Sequence, residues 1–381
     1  MHRIASIAAV ALMIGAPAQA RTPSPPSIAR VVAAAMTETG AKGLAIATIE
    51  RGKVSSVQAF VARNAAGEPL TPDTVLYGAS LTKAVFGYLT VQLAAEGRLS
   101  LDRPIATLLP QPLPSYGNLP AYGNWGDLTD DERWRLITPR MTLNHSTGFA
   151  NFAFLNPDRK LRIRFEPGSR YGYSGEGIML LQFGLEKGAG LDTEAELQRR
   201  FFRPLGMTRT SLRWQSHFAG NVADGWDEQG KAQPHDERSR VRAAGSMDTS
   251  IGDFARVAAA MVRGEGLPVR WRREFARGTL PITTRQQFPT LLPDAQLAER
   301  PNASAAMGVV AFSGPQGAGW YKGGHDDITA NTLVCLEEGR RCVLIMANDV
   351  RAERAFPALV RHVLGETGVH YRWEYPGLRN Y

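Results

Sequence analysis

Trp320-Tyr-Lys-Gly-Gly-His-Asp-Asp327, followed by Thr332-Leu-Val-Cys-Leu-Glu-Glu-Gly-Arg-Arg-Cys-Val-Leu-Ile-Met346, is the most strand-like part of the chain. Two β-rich segments flank Glu338-Gly339, which reads as a hairpin tip. Strand character begins at Trp320 and continues to Asn348. A second hairpin lies near the other end, where Gly43-Leu-Ala-Ile-Ala-Thr-Ile-Glu50 and Lys53 to Val61 flank Arg51-Gly52. Helical periodicity starts near Ser80, runs to about Glu96 and stops at Gly97. Further helical patches cover 177–187, 193–202 and 250–263, separated by loops rich in Gly, Pro and Asn. Residues 26–36 and 352–364 read as a first and a last helix. Strands at both ends with helices between them predict an α+β (α/β) fold: one sheet made from both termini, with a helical part inserted. The sheet part is expected at about 21–79 and 306–381, and the helical part at about 80–305.

Pairing the C-terminal hairpin symmetrically about its tip sets Cys335 opposite Cys342. Whether that pair is hydrogen-bonded depends on a loop of two or four residues, and this decides how easily a disulfide fits.

The first residues, MHRIASIAAVALMIGAPAQA, carry one early positive charge at Arg3, an apolar run from Ile4 to Ile14 and the small-x-small site Ala18-Gln19-Ala20. That is the pattern of a secretory signal peptide over 1–20, with an apolar core too short to span a bilayer. Cleavage would leave Arg21 first, a periplasmic or secreted protein over 21–381 without a membrane anchor, and a compartment in which the cysteine pair can oxidise. Apolar residues make up 44% and charged residues 21%, values of a globular protein and not of a disordered one. The formal charge of +8 comes from 37 arginines and seven lysines set against 36 acidic residues. The arginines are scattered singly and no nucleic-acid-binding motif accompanies them, so the basic balance reads as a solvated surface. The chain does not reveal an oligomeric state.

Three segments could carry chemistry. In Ser80-Leu81-Thr82-Lys83 a helix puts residues three apart on one face, so Lys83 reaches the Ser80 hydroxyl. A serine needs a base to become a nucleophile, and a lysine serves if burial or nearby charge lowers its pKa. The second segment, Glu166-Pro-Gly-Ser-Arg-Tyr-Gly-Tyr-Ser-Gly-Glu176, presents Tyr171 and Tyr173 just before a helix; by spacing alone they read as packed aromatics. The third holds Lys322, Gly323 and Gly324 beside a strand edge, where glycines allow close approach of a substrate backbone. Competing signatures fail. Gly172-Tyr-Ser-Gly-Glu176 lacks the final Gly of a nucleophile elbow, and no zinc-protease helix motif occurs. His325-Asp326-Asp327 has no second histidine at ligand spacing. Neither metal nor cofactor is expected.

In order, the three segments resemble the motif set of the serine β-lactamase and penicillin-binding superfamily, especially its class C-like branch, which also holds family VIII carboxylesterases and D,D-carboxypeptidases. Ser80 and Lys83 match Ser-x-x-Lys, Tyr173-Ser174-Gly175 matches the Tyr-Ser-x form of the second motif, and Lys322-Gly323-Gly324 matches a variant Lys-Thr-Gly. Gly97-Arg-Leu-Ser-Leu-Asp102, Met141-Thr-Leu-Asn-His-Ser-Thr-Gly-Phe149 and Pro204-Leu-Gly-Met-Thr-Arg-Thr210 are similar to the family's connecting phrases. The resemblance implies an antiparallel sheet flanked by helices, an all-helical domain, and a site between them. It implies that Ser80 is the nucleophile, activated by Lys83. Tyr173 would move protons, Lys322 would tune the site or hold a substrate carboxylate, and Gly175, Gly323 and Gly324 would border the substrate. The backbone N–H groups of Ser80 and His325 would form the oxyanion hole. Tyr171 is a rival for the tyrosine role, and either Lys83 or Tyr173 could be the general base. Loops around 111–140 and 265–305 are expected to shape the pocket.

Two departures stand out: Gly175 replaces the usual Asn and Gly323 the usual Thr. Both remove polar contacts to a β-lactam, which favours an esterase or D-amino-acid peptidase acting on a small ester, amide or peptidoglycan-like substrate. The alternatives are a true class C-type β-lactamase and a non-hydrolytic penicillin- or peptidoglycan-binding protein. A binder, however, has no need of Ser80, Lys83, Tyr173 and Lys322 together.

Overall fold

The computed structural model describes residues 22–378, so the expected leader lies outside the described residues. The described chain opens with α1 (Pro25–Thr39) and the hairpin of β1 (Gly43–Glu50) and β2 (Lys53–Val61). β3 (Val75–Tyr77) leads into α2 (Leu81–Ala95). A long stretch of short helices and loops follows and contains α3 (Gly175–Phe183). β4 (Asp248–Ser250) then pairs with β3 and runs into α4 (Ile251–Arg263). The remaining strands are β5 (Leu280–Pro281), β6 (Ala303–Ala305), β7 (Val310–Gly314), β8 (Gly317–His325), β9 (Ala330–Leu336) and β10 (Arg341–Ala347), before the last long helix, α5 (Phe356–Leu364).

The main sheet has the order β2-β1-β10-β9-β8-β7-β6-β5, with antiparallel neighbours throughout. The two terminal hairpins meet where β1 pairs with β10, Ile46 opposite Ile345. Its central strands are mostly apolar and buried along nearly their whole length because both faces are covered. β1 sends Leu44 and Ile46 to one side and Ala45, Ala47 and Ile49 to the other; β10 divides Val343 and Ile345 from Cys342, Leu344 and Met346 in the same way. α1 and α5 cover the first side through Ile28, Val32, Leu359 and Val363, and α2 and α4 pack on the second. Alternation that would mark a half-exposed strand is therefore missing from the sequence.

Hairpins, α1, α2, α4 and α5 fall where the sequence puts them. β5, β6 and β7 do not announce themselves, since strands of two to five residues are too short to establish a period. β5 and β6 also lie inside the range read as helical, and α4 packs on β1, β2 and β10, so sheet and helical part share residues of 80–305 and do not divide at 305. The helix Val269–Ala276 buries only Phe275 and has too few apolar positions to reveal its pitch.

β9 and β10 are joined by the four residues 337–340, and Cys335 pairs with Cys342 in the register. Their sulfurs are bonded, with Cα atoms 4.1 Å apart, and both side chains are fully buried on the side facing α2 and α4. A crosslink closing so short a loop restricts the unfolded chain only modestly, by roughly 3 kcal/mol or less. Replacing both cysteines by alanine is expected to lower the denaturant midpoint by a corresponding amount while preserving the circular-dichroism spectrum. Thiol titration of the purified, unreduced protein should find no free thiol; two would contradict the bond.

Candidate active site

The route into α2 fixes Ser80. β3 is held against β4, Gly78 N–H donates to Met247 O at 2.8 Å, and the Tyr77 hydroxyl donates to Gly245 O at 2.6 Å. Ala79 then takes φ 46°, a left-handed conformation that a residue with a Cβ adopts only when its surroundings enforce it. Ser80 follows as the residue capping α2. The N–H groups of Leu81, Thr82 and Lys83 bond back to the carbonyls of Gly78, Ala79 and Ser80, so the Ser80 N–H is not used by the helix. α2 is buried from Leu81 to Ala94, which makes its first turn a rigid platform.

Lys83 is 1% exposed. Its Nζ donates to Ser80 Oγ at 2.9 Å and to the carbonyl of Ala244. Burial holds the ammonium below the ordinary lysine range; Lys322 pushes the same way, and Tyr173 and Glu374 oppose. From the far side the Tyr173 hydroxyl donates to Ser80 Oγ at 2.8 Å. The rival Tyr171 is engaged elsewhere, donating to Gln287 Oε1 at 2.9 Å. Ser174, next to Tyr173, caps α3 by accepting from Gly177 N–H at 2.9 Å, so the cap that starts α3 also fixes where Tyr173 points. His145 packs on Tyr173 with ring centres 4.4 Å apart and the ring planes tilted by 37°, and accepts from Ser174 N–H at 3.2 Å. Burial, reinforced by Lys83 and Lys322, keeps its imidazole well below the usual histidine range and hence uncharged.

β8 brings in the third segment. A Cβ on Gly324 would lie 3.1 Å from Ser80 N and 2.9 Å from Leu81 N, so the strand runs directly against the start of α2. Asn331 ties the two together, donating to Gly324 O at 2.9 Å and Tyr77 O at 3.1 Å. Lys322 is 3% exposed, donates to Gly323 O at 2.5 Å and lies 5.4 Å from the centre of the Tyr173 ring. Its counter-charge is Glu374, 1% exposed, with Oε1 3.7 Å from Lys322 Nζ. Burial lowers the Lys322 pKa against the pull of Glu374.

Ser80 opens into a cavity of about 570 Å³. Its walls come from Asn151 and Phe152, the 236–246 segment, Gln287 and Phe288, and Gly323, His325 and Asp326. Residues 111–140, expected to shape the pocket, do not line it; Tyr116, Tyr122 and Trp125 from that loop pack on Phe183. The 265–305 loop contributes through Gln287 and Phe288. Of the expected substrate-bordering glycines, Gly323 reaches the cavity. Gly324 lies behind it against α2, and Gly175 lies behind Phe152, whose ring would be 2.7 Å from a Cβ at 175. An Asn at 175 would collide with Phe152. Asn151 accepts from Gly175 N–H at 2.9 Å and brings an amide to the wall from another loop.

Sequence reasoning missed His145, Asn151, Asn331 and Glu374. Asn331 carried a signal, as a lone amide in a strand of apolar and β-branched residues. Glu374 carried none, since only the fold brings residue 374 to residue 322.

The protein-family model described as Beta-lactamase matches residues 28–364. A lovastatin esterase of Penicillium rubens is 28% identical over 201 residues, 42% of this chain and 50% of the esterase, so the match spans half the length of that curated relative. Among solved structures, the octameric penicillin-binding protein homologue from Pyrococcus abyssi aligns with a TM-score of 0.69 at 20% identity, over 90% of this chain and 78% of the homologue. The D-alanine carboxypeptidase AmpC from Burkholderia cenocepacia aligns with 0.67 at 16% identity, over 89% and 98% of the two chains. A β-lactamase/D-alanine carboxypeptidase from Pseudomonas syringae gives 0.69 at 16%, over 88% and 97%. These likenesses show the fold that the sequence resemblance implied, an antiparallel sheet flanked by helices. With the family model matched over nearly all of the described residues, the chain belongs to the Beta-lactamase family.

Proposed function

We propose that the protein hydrolyses a small ester or amide through an acyl-enzyme on Ser80. The observation that carries this reading is Ser80 Oγ held between Lys83 Nζ at 2.9 Å and the Tyr173 hydroxyl at 2.8 Å, at a cavity large enough for a small acyl compound. Neutral Lys83 takes the Ser80 proton as Oγ bonds to the substrate carbonyl carbon. The resulting oxyanion is stabilised by the N–H groups of Ser80 and His325. Tyr173 then protonates the leaving group as its bond to carbon breaks, and Lys83 returns a proton to Tyr173. Water attacks the acyl-enzyme by the reverse proton path, and Ser80 leaves with its proton restored.

The substrate reading is an ester in preference to a β-lactam. Phe152 occupies the space that an amide at position 175 would need, and the lovastatin esterase similarity favours the same class. Export belongs to the proposal too: the Ala18-Gln19-Ala20 site and the Cys335–Cys342 bond both suit an oxidising compartment. N-terminal sequencing of the protein exported from a bacterial host should begin at Arg21; a full-length chain retained in the cytoplasm contradicts it.

Three further outcomes are expected. Short-chain p-nitrophenyl esters should be hydrolysed faster than nitrocefin, by about a few-fold to 100-fold if one or two hydrogen bonds worth ~0.5–1.5 kcal/mol each are missing in the transition state. Ser80→Ala should lose ester turnover by ~10³-fold or more, and Tyr173→Phe by ~10²–10⁴-fold. Efficient cephalosporin turnover with negligible esterase activity would contradict the substrate assignment. The pH profile tests the base. Activity requires uncharged Lys83, so kcat/KM should rise with pH through an acid limb placed below the ordinary lysine value. Lys322→Ala removes a positive neighbour and leaves Glu374 unbalanced. Both changes favour the Lys83 ammonium, so the limb should move to higher pH; an unmoved or lowered limb would show that Lys83 is not the titrating base.

A further inference from the structure

Glu374 lies on the short helix Tyr371–Glu374, far in sequence from all three motifs. It is brought in from behind β8: the Tyr375 hydroxyl donates to Asn331 O at 2.8 Å, and Gln287 N–H donates to Trp373 O at 2.9 Å. The carboxylate is buried and, among the described residues, neither oxygen accepts a hydrogen bond of normal length, an arrangement that costs free energy unless a charge balances it. Lys322, 3.7 Å away, supplies that charge. The same carboxylate fills the space next to the third motif. A Cβ on Gly323 would lie 2.2 Å from Glu374 Oε1 and 2.7 Å from its Cδ, so no larger residue fits at 323 while Glu374 is there. Gly323 is thus the partner of Glu374, and Glu374 and Gly323 both border the cavity that receives the acyl compound.

The cation expected to attract a substrate carboxylate is therefore already neutralised, by an anion beside the wall. We propose that Glu374 determines the charge of the substrate: by occupying the space at Gly323 and balancing Lys322, it makes the enzyme select acyl compounds that are uncharged next to the scissile bond and reject those with a carboxylate there. The inference rests on the Ser80 hydrolase reading and names its substrate class. Lys83, Tyr171, Tyr321 and Tyr375 also face Glu374. Asp236, Glu237 and Asp326, with Arg238, Arg240 and Arg242, also line the cavity, but Glu374 is the carboxylate that meets both Gly323 and Lys322, so the discrimination beside the third segment is assigned to it.

The test compares two thioesters of one acyl group, hippuryl thioglycolate, whose leaving group ends in a carboxylate, and hippuryl thioglycolamide, whose leaving group is neutral. The wild-type protein is expected to favour the amide form at least tenfold in kcat/KM. Glu374→Gln, with fluorophosphonate labelling of Ser80 as a control for an intact site, should cut that preference at least tenfold. If Glu374→Gln does not fold, Glu374→Ala with Gly323→Thr refills the freed space and carries the same expectation. A wild-type preference for the carboxylate form overturns the proposal and points to the arginines of the cavity wall, Arg238, Arg240 and Arg242, as its partners. Intact labelling with an unmoved ratio overturns the assignment to Glu374 alone. A wild-type protein that neither labels nor turns over either thioester overturns the hydrolase reading beneath it.

Discussion

The site depends on keeping an ammonium group out of water. A lysine on a solvated helix is charged at neutral pH and cannot accept a proton from serine. Lys83 sits one turn into a helix buried along almost its whole length, and its ordinary affinity for a proton is lowered first by that burial. The rest of the molecule can be read as the means of burying it. α2 has no polar face because the sheet lies on one side and the inserted helices on the other. The Ala244 carbonyl satisfies a lysine N–H that would otherwise be stranded.

A second constraint is that three distant segments must converge around Ser80, and each is held by a different device. Ser80 is set by a strained turn at Ala79 between a two-stranded pairing and α2. Tyr173 is set by the Ser174 cap and by packing on His145, and β8 by its close contact with α2 at Gly324 and the Asn331 tether. Two of these devices are single buried polar side chains, which fits the cost of leaving such groups unpartnered. Glu374 is the exception. It is buried, among the described residues it accepts no hydrogen bond of normal length, and Lys322 is its nearest counter-charge; a functional constraint gives the fold a reason to retain it.

Much of this was legible in the sequence because it depends on local spacing. The Ser80–Lys83 step is a property of any helix, the cysteine register follows from symmetry about Glu338-Gly339, and the terminal hairpins are strand-rich runs around short turns. What was not legible depends on long-range packing. By spacing alone the two tyrosines of the second motif read as packed aromatics, the resemblance prefers Tyr173, and the fold sends Tyr171 to Gln287 and Tyr173 to Ser80. Gly175 and Gly323 looked like simple losses of polar groups. Phe152 fills the space at the first and Glu374 at the second, so each glycine is matched to a large neighbour that no spacing rule could reveal. The cavity walls at 236–246 fall in a stretch with little periodicity, so nothing in the sequence marks them.

The central claim is that chemistry passes through a covalent bond to Ser80. The most direct measurement is to mix the protein with a slowly deacylating p-nitrophenyl ester, quench in acid within the first turnover, and map the added mass by peptide mass spectrometry. The account predicts one acyl group per chain, on the peptide containing Ser80, appearing with a stoichiometric burst of p-nitrophenol. Steady turnover with no acylated peptide, or an acyl group carried on a different residue, would contradict it.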